Sequence, residues 1–124
     1  MNSTSDDPRV QLWLDDLSGF IADAAYLVTL GRDAYLADTP QGRLLRNAGE
    51  RLLIKVATVV ERLPDEFKNE YPDIAWRQIG RMRNLVAHHY DKVNHDLMFI
   101  TLQREIPDLG AKLALPDDPR SATE

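Results

Sequence analysis

The sequence predicts an all-α protein, an up-and-down bundle of about four or five helices, and three observations carry that prediction. Apolar residues recur at spacings of three and four through four long stretches, as a helix with one buried face requires. Asp7-Pro8, Thr39-Pro40 and Pro64 fall at the ends of those stretches, where caps and helix stops belong. No segment alternates apolar and polar residues in the manner of a strand, and no internal repeat is present. At 124 residues the chain has room for one hydrophobic core and not two.

Taken in order, residues 1–7 and 116–124 are polar and terminal and are expected to be disordered tails around a domain spanning 8–115. A first helix runs from Pro8 to Leu30, with Asp7 as N-cap, Pro8 at the first helical position and Gly31 past its end. Its stripe is Val10, Trp13, Leu14, Leu17, Ile21, Ala24 and Val28. A short turn of helix over 32–38 precedes a second long helix, about 40–63, whose face is Leu45, Ala48, Leu52, Val56, Val59, Val60 and Leu63, broadened by Leu44, Leu53 and Ile54. Gly49 within it weakens helix propensity by up to ~1 kcal/mol relative to Ala, so close packing against a neighbour is its expected purpose. Residues 65–71 form a helical connector broken at Tyr71-Pro72, because the residue before proline avoids the α region. Asp73 is placed to cap the next helix, with Ala75, Ile79, Met82 and Val86 as its stripe and Trp76 packing rather than stacking on a base. Asn94 caps a last helix carrying Met98, Leu102, Ile106, Leu109 and Leu113, and Pro107 predicts a kink or restart within it.

Composition removes several function classes. The absence of cysteine excludes disulfides and thiolate metal sites. No apolar run approaches the roughly 20 residues of a membrane span, and the polar, acidic first eight residues have the wrong character for a signal peptide. A cytoplasmic protein with no membrane partner is the expectation. A net charge of −5 argues against a broad nucleic-acid coat, though not against a local site. Arg77, Arg81, Arg83 and Lys92 supply such a cluster, with His89 beside it, whereas Arg43, Arg46, Arg51 and Lys55 suit a solvated helix face.

The chemistry concentrates in Arg83-Asn84-Leu85-Val86-Ala87-His88-His89-Tyr90. Arginine offers a permanent, planar cation that grips a phosphate bidentately. Histidine takes and gives a proton near neutral pH. Arg83 and His88 together would orient a phosphodiester, activate the neighbouring ribose 2′-hydroxyl and protonate the leaving 5′-oxygen. That reaction needs RNA, not DNA, and neither metal nor cofactor. On a straight helix, however, five residues turn about 500°, leaving the two roughly 140° apart. Either the helix loosens before His88, or the two residues serve a shared site in another way.

Arg, a polar residue, three mostly apolar residues, His, any residue and Tyr, as Arg83, Asn84, His88 and Tyr90 stand here, resembles the signature of HepT-type toxins of the HEPN superfamily. The flanking Trp76-Arg77-Gln78-Ile79-Gly80-Arg81-Met82 and Asp91-Lys92-Val93-Asn94 resemble it too, as does Tyr71-Pro72-Asp73-Ile74-Ala75 upstream, and the likeness covers about residues 9–114. It implies a small helical endoribonuclease, metal-independent, that leaves a 2′,3′-cyclic phosphate. Arg83, Asn84 and His88 would be its catalytic residues. It also implies a homodimer with the motif lining a cleft across the two-fold, and a minimal nucleotidyltransferase antitoxin as partner in a toxin-antitoxin system. In the resembling family that partner transfers AMP to the tyrosine that Tyr90 matches.

Two other readings are weighed against this one. His88, His89 and His95, with Asp91 four residues before His95, invite a metal site, but adjacent histidines point apart and the Asp91–His95 pair straddles the helix start at Asn94. No metal is expected. The remaining rival is a HEPN-like helical module that binds a nucleotidyltransferase or nucleotide without cutting RNA; the intact Arg83, Asn84, His88 and Tyr90 set favours the enzyme.

Overall fold

The computed structural model describes residues 6–88 and 94–116. The elements are α1 (Pro8–Thr29), α2 (Arg32–Leu36), α3 (Pro40–Arg62), α4 (Asp65–Asn69), α5 (Trp76–His88), α6 (His95–Ile100), a π-helical turn (Thr101–Glu105) and α7 (Ile106–Lys112). No strand occurs among the described residues. The predicted all-α bundle is the fold: three long helices and a rod of α6, π turn and α7 surround one core, joined by two short helices.

Local chemistry fixes most boundaries. Asp7 accepts the Arg9 backbone N–H at 2.8 Å, Thr39 Oγ1 that of Gly42 at 3.0 Å and Asn94 Oδ1 that of Leu97 at 3.1 Å. Each satisfies a first-turn N–H that the helix itself leaves without an acceptor. Gly31 follows α1 at φ +97°, in the region that side chains disfavour. Asp73, expected to cap α5, does not: that helix begins three residues later, at Trp76. Successive turn bonds, Ile74 N–H to Tyr71 O and Trp76 N–H to Ile74 O, occupy the interval. The Trp76 indole N–H donates to Lys68 O and Tyr71 O at 3.1 and 3.2 Å, so Trp76 ties that turn down and packs, as expected.

Helix α3 is the centre. It packs against α5, α1, α2 and α6, and Leu53, Val56, Ala57 and Val60 are all but sealed from solvent. Leu44 and Ala48, expected on that face, are exposed, because the first turns of α3 present Gly42, Leu45 and Gly49 to their neighbours instead. Gly49 is a point of close approach between α3 and its neighbours: a Cβ there would stand 2.8 Å from the Tyr35 hydroxyl and 2.9 Å from Leu102 Cδ1. Tyr35, on the short α2, is fully buried, and burial pushes its phenol up to about 12. Arg46 reaches back from α3 to donate to Tyr35 O at 2.9 Å and Ala37 O at 2.8 Å, which satisfies the C-terminal carbonyls of α2. Arg46 therefore does more than line a solvated face. Arg32 of α2 pairs with Asp96 of α6.

The last helix keeps its whole predicted stripe buried: Met98, Leu102, Ile106, Leu109 and Leu113. Pro107 does interrupt it, through a π turn in which the Ile106 N–H reaches Thr101 O. Proline lacks an N–H and crowds the preceding turn, and a single wider turn ahead of it accommodates both. No helix of the described residues is long and apolar enough to cross a membrane.

Candidate functional site

Helix α5 carries the candidate residues, and its sequence explains its setting. Val86 is buried, and Ile79 and Met82 are half-buried against the core. Gly80 faces α3, where a Cβ would stand in ordinary contact with Glu61 Cγ at 3.9 Å. The thirteen residues of α5 include three arginines and no acid.

Arg83 lies toward α3, where its Nη1 is 2.8 Å from Glu61 Oε2, with both side chains about two-fifths exposed (39% and 41%). An ion pair so exposed contributes on the order of 0–1 kcal/mol. It directs the guanidinium without locking it. Glu61 was not foreseeable from sequence, since a single acid 22 positions from its partner leaves no periodic signal. Asn84, Arg77 and Arg81 are exposed, and neither Arg77 nor Arg81 has an ion-pair partner among the described residues.

Helix α5 remains α-helical through residue 88, so of the two alternatives the loosening before His88 does not occur. The register keeps Arg83 and position 88 about 140° apart around the axis. A different set is brought into line. Arg77, Arg81, Asn84 and position 88 follow one another by four, three and four residues, so they share a stripe about 60° wide. The side chain of His88, together with His89, Tyr90, Asp91 and Lys92, lies outside the described residues.

On its other flank α5 borders a groove of about 290 Å³ shared with α6 and α7, lined by Ile79, Met82, Leu97, Ile106 and Leu109 among others. Its lysine, Lys112, is engaged by Asp108 at 3.1 Å. The groove is mostly apolar, with Glu105 and Asp108 in its wall, and its lysine is already paired.

Residues 21–114 match the family model described as Ribonuclease HepT-like. The chain is 27% identical over 93 residues to a protein of Caldanaerobacter subterraneus subsp. tengcongensis named "Putative RNase", covering 75% of this chain and 83% of that one. It is 32% identical over 62 residues to the "Probable ribonuclease HepT" of Thermococcus cleftensis, covering 50% and 56% respectively. Over 100 residues it is 21% identical to a "Putative RNase" of Methanocaldococcus jannaschii, covering 81% and 84%. No solved structure matches the chain. With 21–114 of its 124 residues inside that family model, this all-helical chain belongs to the HepT-like ribonuclease family of the HEPN superfamily.

Proposed function

We propose that the protein is a metal-independent endoribonuclease and the toxin of a toxin-antitoxin pair. The observation that carries this reading is an acid-free α5 on which Arg83, Asn84 and the His88 position all stand. Arg83 exchanges Glu61 for the scissile phosphate and stabilises the charge that builds on its oxygens. His88 removes the proton from the 2′-hydroxyl and returns one to the departing 5′-oxygen. The 2′-oxygen bonds to phosphorus as the P–O5′ bond breaks, leaving a 2′,3′-cyclic phosphate and a 5′-hydroxyl. Asn84 positions the phosphate. Because Arg83 and position 88 diverge on one helix, the working site joins Arg83 of one subunit to His88 of another, in a homodimer whose two-fold runs beside α5. Cleavage of RNA by the purified protein in excess EDTA, with cyclic phosphate ends in the products, is the expected result. Activity that EDTA abolishes, or the absence of any cleavage, would sink the reading.

The partner in this reading is a minimal nucleotidyltransferase acting in the cytoplasm. It transfers AMP from ATP to the Tyr90 hydroxyl, forming a phosphodiester to tyrosine and releasing pyrophosphate. The new phosphate and base lie close in sequence to Arg83 and His88, where they compete with RNA for the cation. Mass spectrometry after co-expression should find an AMP-sized addition on the Tyr90 peptide, absent from Tyr90→Phe. A neutralised toxin with no added mass would instead mean inhibition by complex formation.

A further inference from the structure

The chain has a net charge of −5, and removing the +3 of α5 leaves −8 for everything else. Two of those three positive charges, Arg77 and Arg81, stand exposed one helical turn apart, without an acid on their helix and without an ion-pair partner among the described residues. Arg9, Arg32, Arg43, Arg46 and Arg83 each have an acceptor, and Arg51, Arg62 and Arg104, which also lack an ion-pair partner among the described residues, stand on elements that carry acids. The two unpaired arginines of α5 share a stripe with Asn84 and position 88, and Arg77 stands about 16 Å along the axis from that position.

We infer that the Arg77–Arg81–Asn84 stripe is a backbone-binding track for single-stranded RNA, holding the phosphates that flank the scissile one and so laying the strand along α5. The inference rests on the ribonuclease reading above and adds to it where the rest of the substrate goes. Cations without base-reading partners bind the sugar-phosphate chain whatever its sequence. A single strand suits them because one straight row of charges follows one backbone. An acidic protein would be the other occupant of a positive face, but protein interfaces are built round an apolar centre. Among the side chains described, none of the large exposed apolar ones, Leu12, Tyr26, Leu30, Leu44, Leu97 and Ile100, is on α5.

The test uses the full-length wild-type protein, an Arg77→Gln/Arg81→Gln variant and a control, Arg51→Gln/Arg62→Gln. The control removes the same charge from exposed positions of α3. The probe is a fluorescein-labelled 12-nucleotide RNA with 2′-O-methyl groups, which cannot undergo 2′-hydroxyl attack, and its binding is followed by anisotropy from low to high salt. Removing one phosphate-binding cation from a single-strand complex lowers the slope of log affinity against log salt by about 0.7. The α5 variant, short of two, should therefore have a slope smaller by about 1.4 while the control keeps the wild-type value. Cleavage gives a second reading, because a dinucleotide carries only the scissile phosphate. The α5 variant should cut a dinucleotide as wild type does, and cut the unmodified 12-mer with kcat/KM lower by roughly tenfold or more. An unchanged slope in the α5 variant, an equal fall in the control, or equal losses on both substrates would overturn the track while leaving the ribonuclease reading in place. Loss of nucleotidyltransferase capture with RNA binding unchanged would reassign the stripe to a protein partner. A wild-type protein that neither binds nor cuts RNA would remove both.

Discussion

His88→Ala is expected to lower RNA cleavage in EDTA by roughly 10²–10⁴-fold, the range that a positioned acid-base group contributes. Arg83→Ala should cost about 10²–10³-fold, as removal of one preorganised partner for developing charge does. The more informative result comes from combining them. Because α5 holds Arg83 and position 88 about 140° apart, a site built across two subunits takes its arginine from one chain and its histidine from the other. A heterodimer of Arg83→Ala and His88→Ala chains, purified through two different tags, then contains one site with both residues missing and one with both intact. It should recover about half the wild-type rate from two inactive parents. Were both residues drawn from a single chain, no site in that heterodimer would be complete and it would stay inactive. Inactivity, or a monomer in light scattering at micromolar concentration, would refute the shared site.

The second large effect is on stability, far from α5. Gly42 sits in the first turn of α3, and a Cβ there would lie 2.1 Å from the carbonyl oxygen of Ala37 and 3.0 Å from that of Ala34. Both obstacles are backbone, so no side chain can swing aside. Ala37 O is also the acceptor held by Arg46, and the Gly42 N–H is the one Thr39 caps. Moving any of these loosens the others. Gly42→Ala should cost about 3 kcal/mol, at the upper end for an overpacked site, and lower the melting midpoint by on the order of 10 °C. Gly19, inside α1, has nothing within 4 Å of its would-be Cβ. Gly19→Ala should have the opposite sign, stabilising by about 0.5–1 kcal/mol through helix propensity. Calorimetry or urea titration of the two variants measures both. Equal midpoints would mean that the α2–α3 contact yields more easily than its geometry indicates.

What was legible in the sequence is what short-range chemistry decides. Asp7, Thr39 and Asn94 are recognisable as caps because a cap acts within three residues of itself, and the final stripe from Met98 to Leu113 because burial follows helical period. Asp73 misleads because a capping residue and a turn residue look alike, and only the bonds around Ile74 and the Trp76 indole distinguish them. Leu44 and Ala48 have the right spacing for the core face, but Gly42 and Gly49 meet the neighbours there, and which side of a helix its neighbours cover is not a property of its own residues. The same limit hides Tyr35, an aromatic on a five-residue helix that becomes one of the most buried side chains. In the site, the motif itself is readable and Arg83's companion is not. Pairing between Glu61 and Arg83 depends on how α3 and α5 cross, which no local pattern announces.

In the ribonuclease reading proposed above, that pair would serve as a stand-in for the substrate. A carboxylate oxygen meets a guanidinium N–H much as a phosphoryl oxygen does, so the single contact from Arg83 Nη1 to Glu61 Oε2 directs the guanidinium toward an anion before any RNA arrives, without locking it. Exchange then replaces one anion by another at nearly constant charge, and the guanidinium has only to trade partners instead of being ordered from solution. The carboxylate also sets a threshold. A weak or transient anion gains little by displacing a tethered one, whereas a polyanion held elsewhere along its length arrives at high effective concentration and wins the exchange.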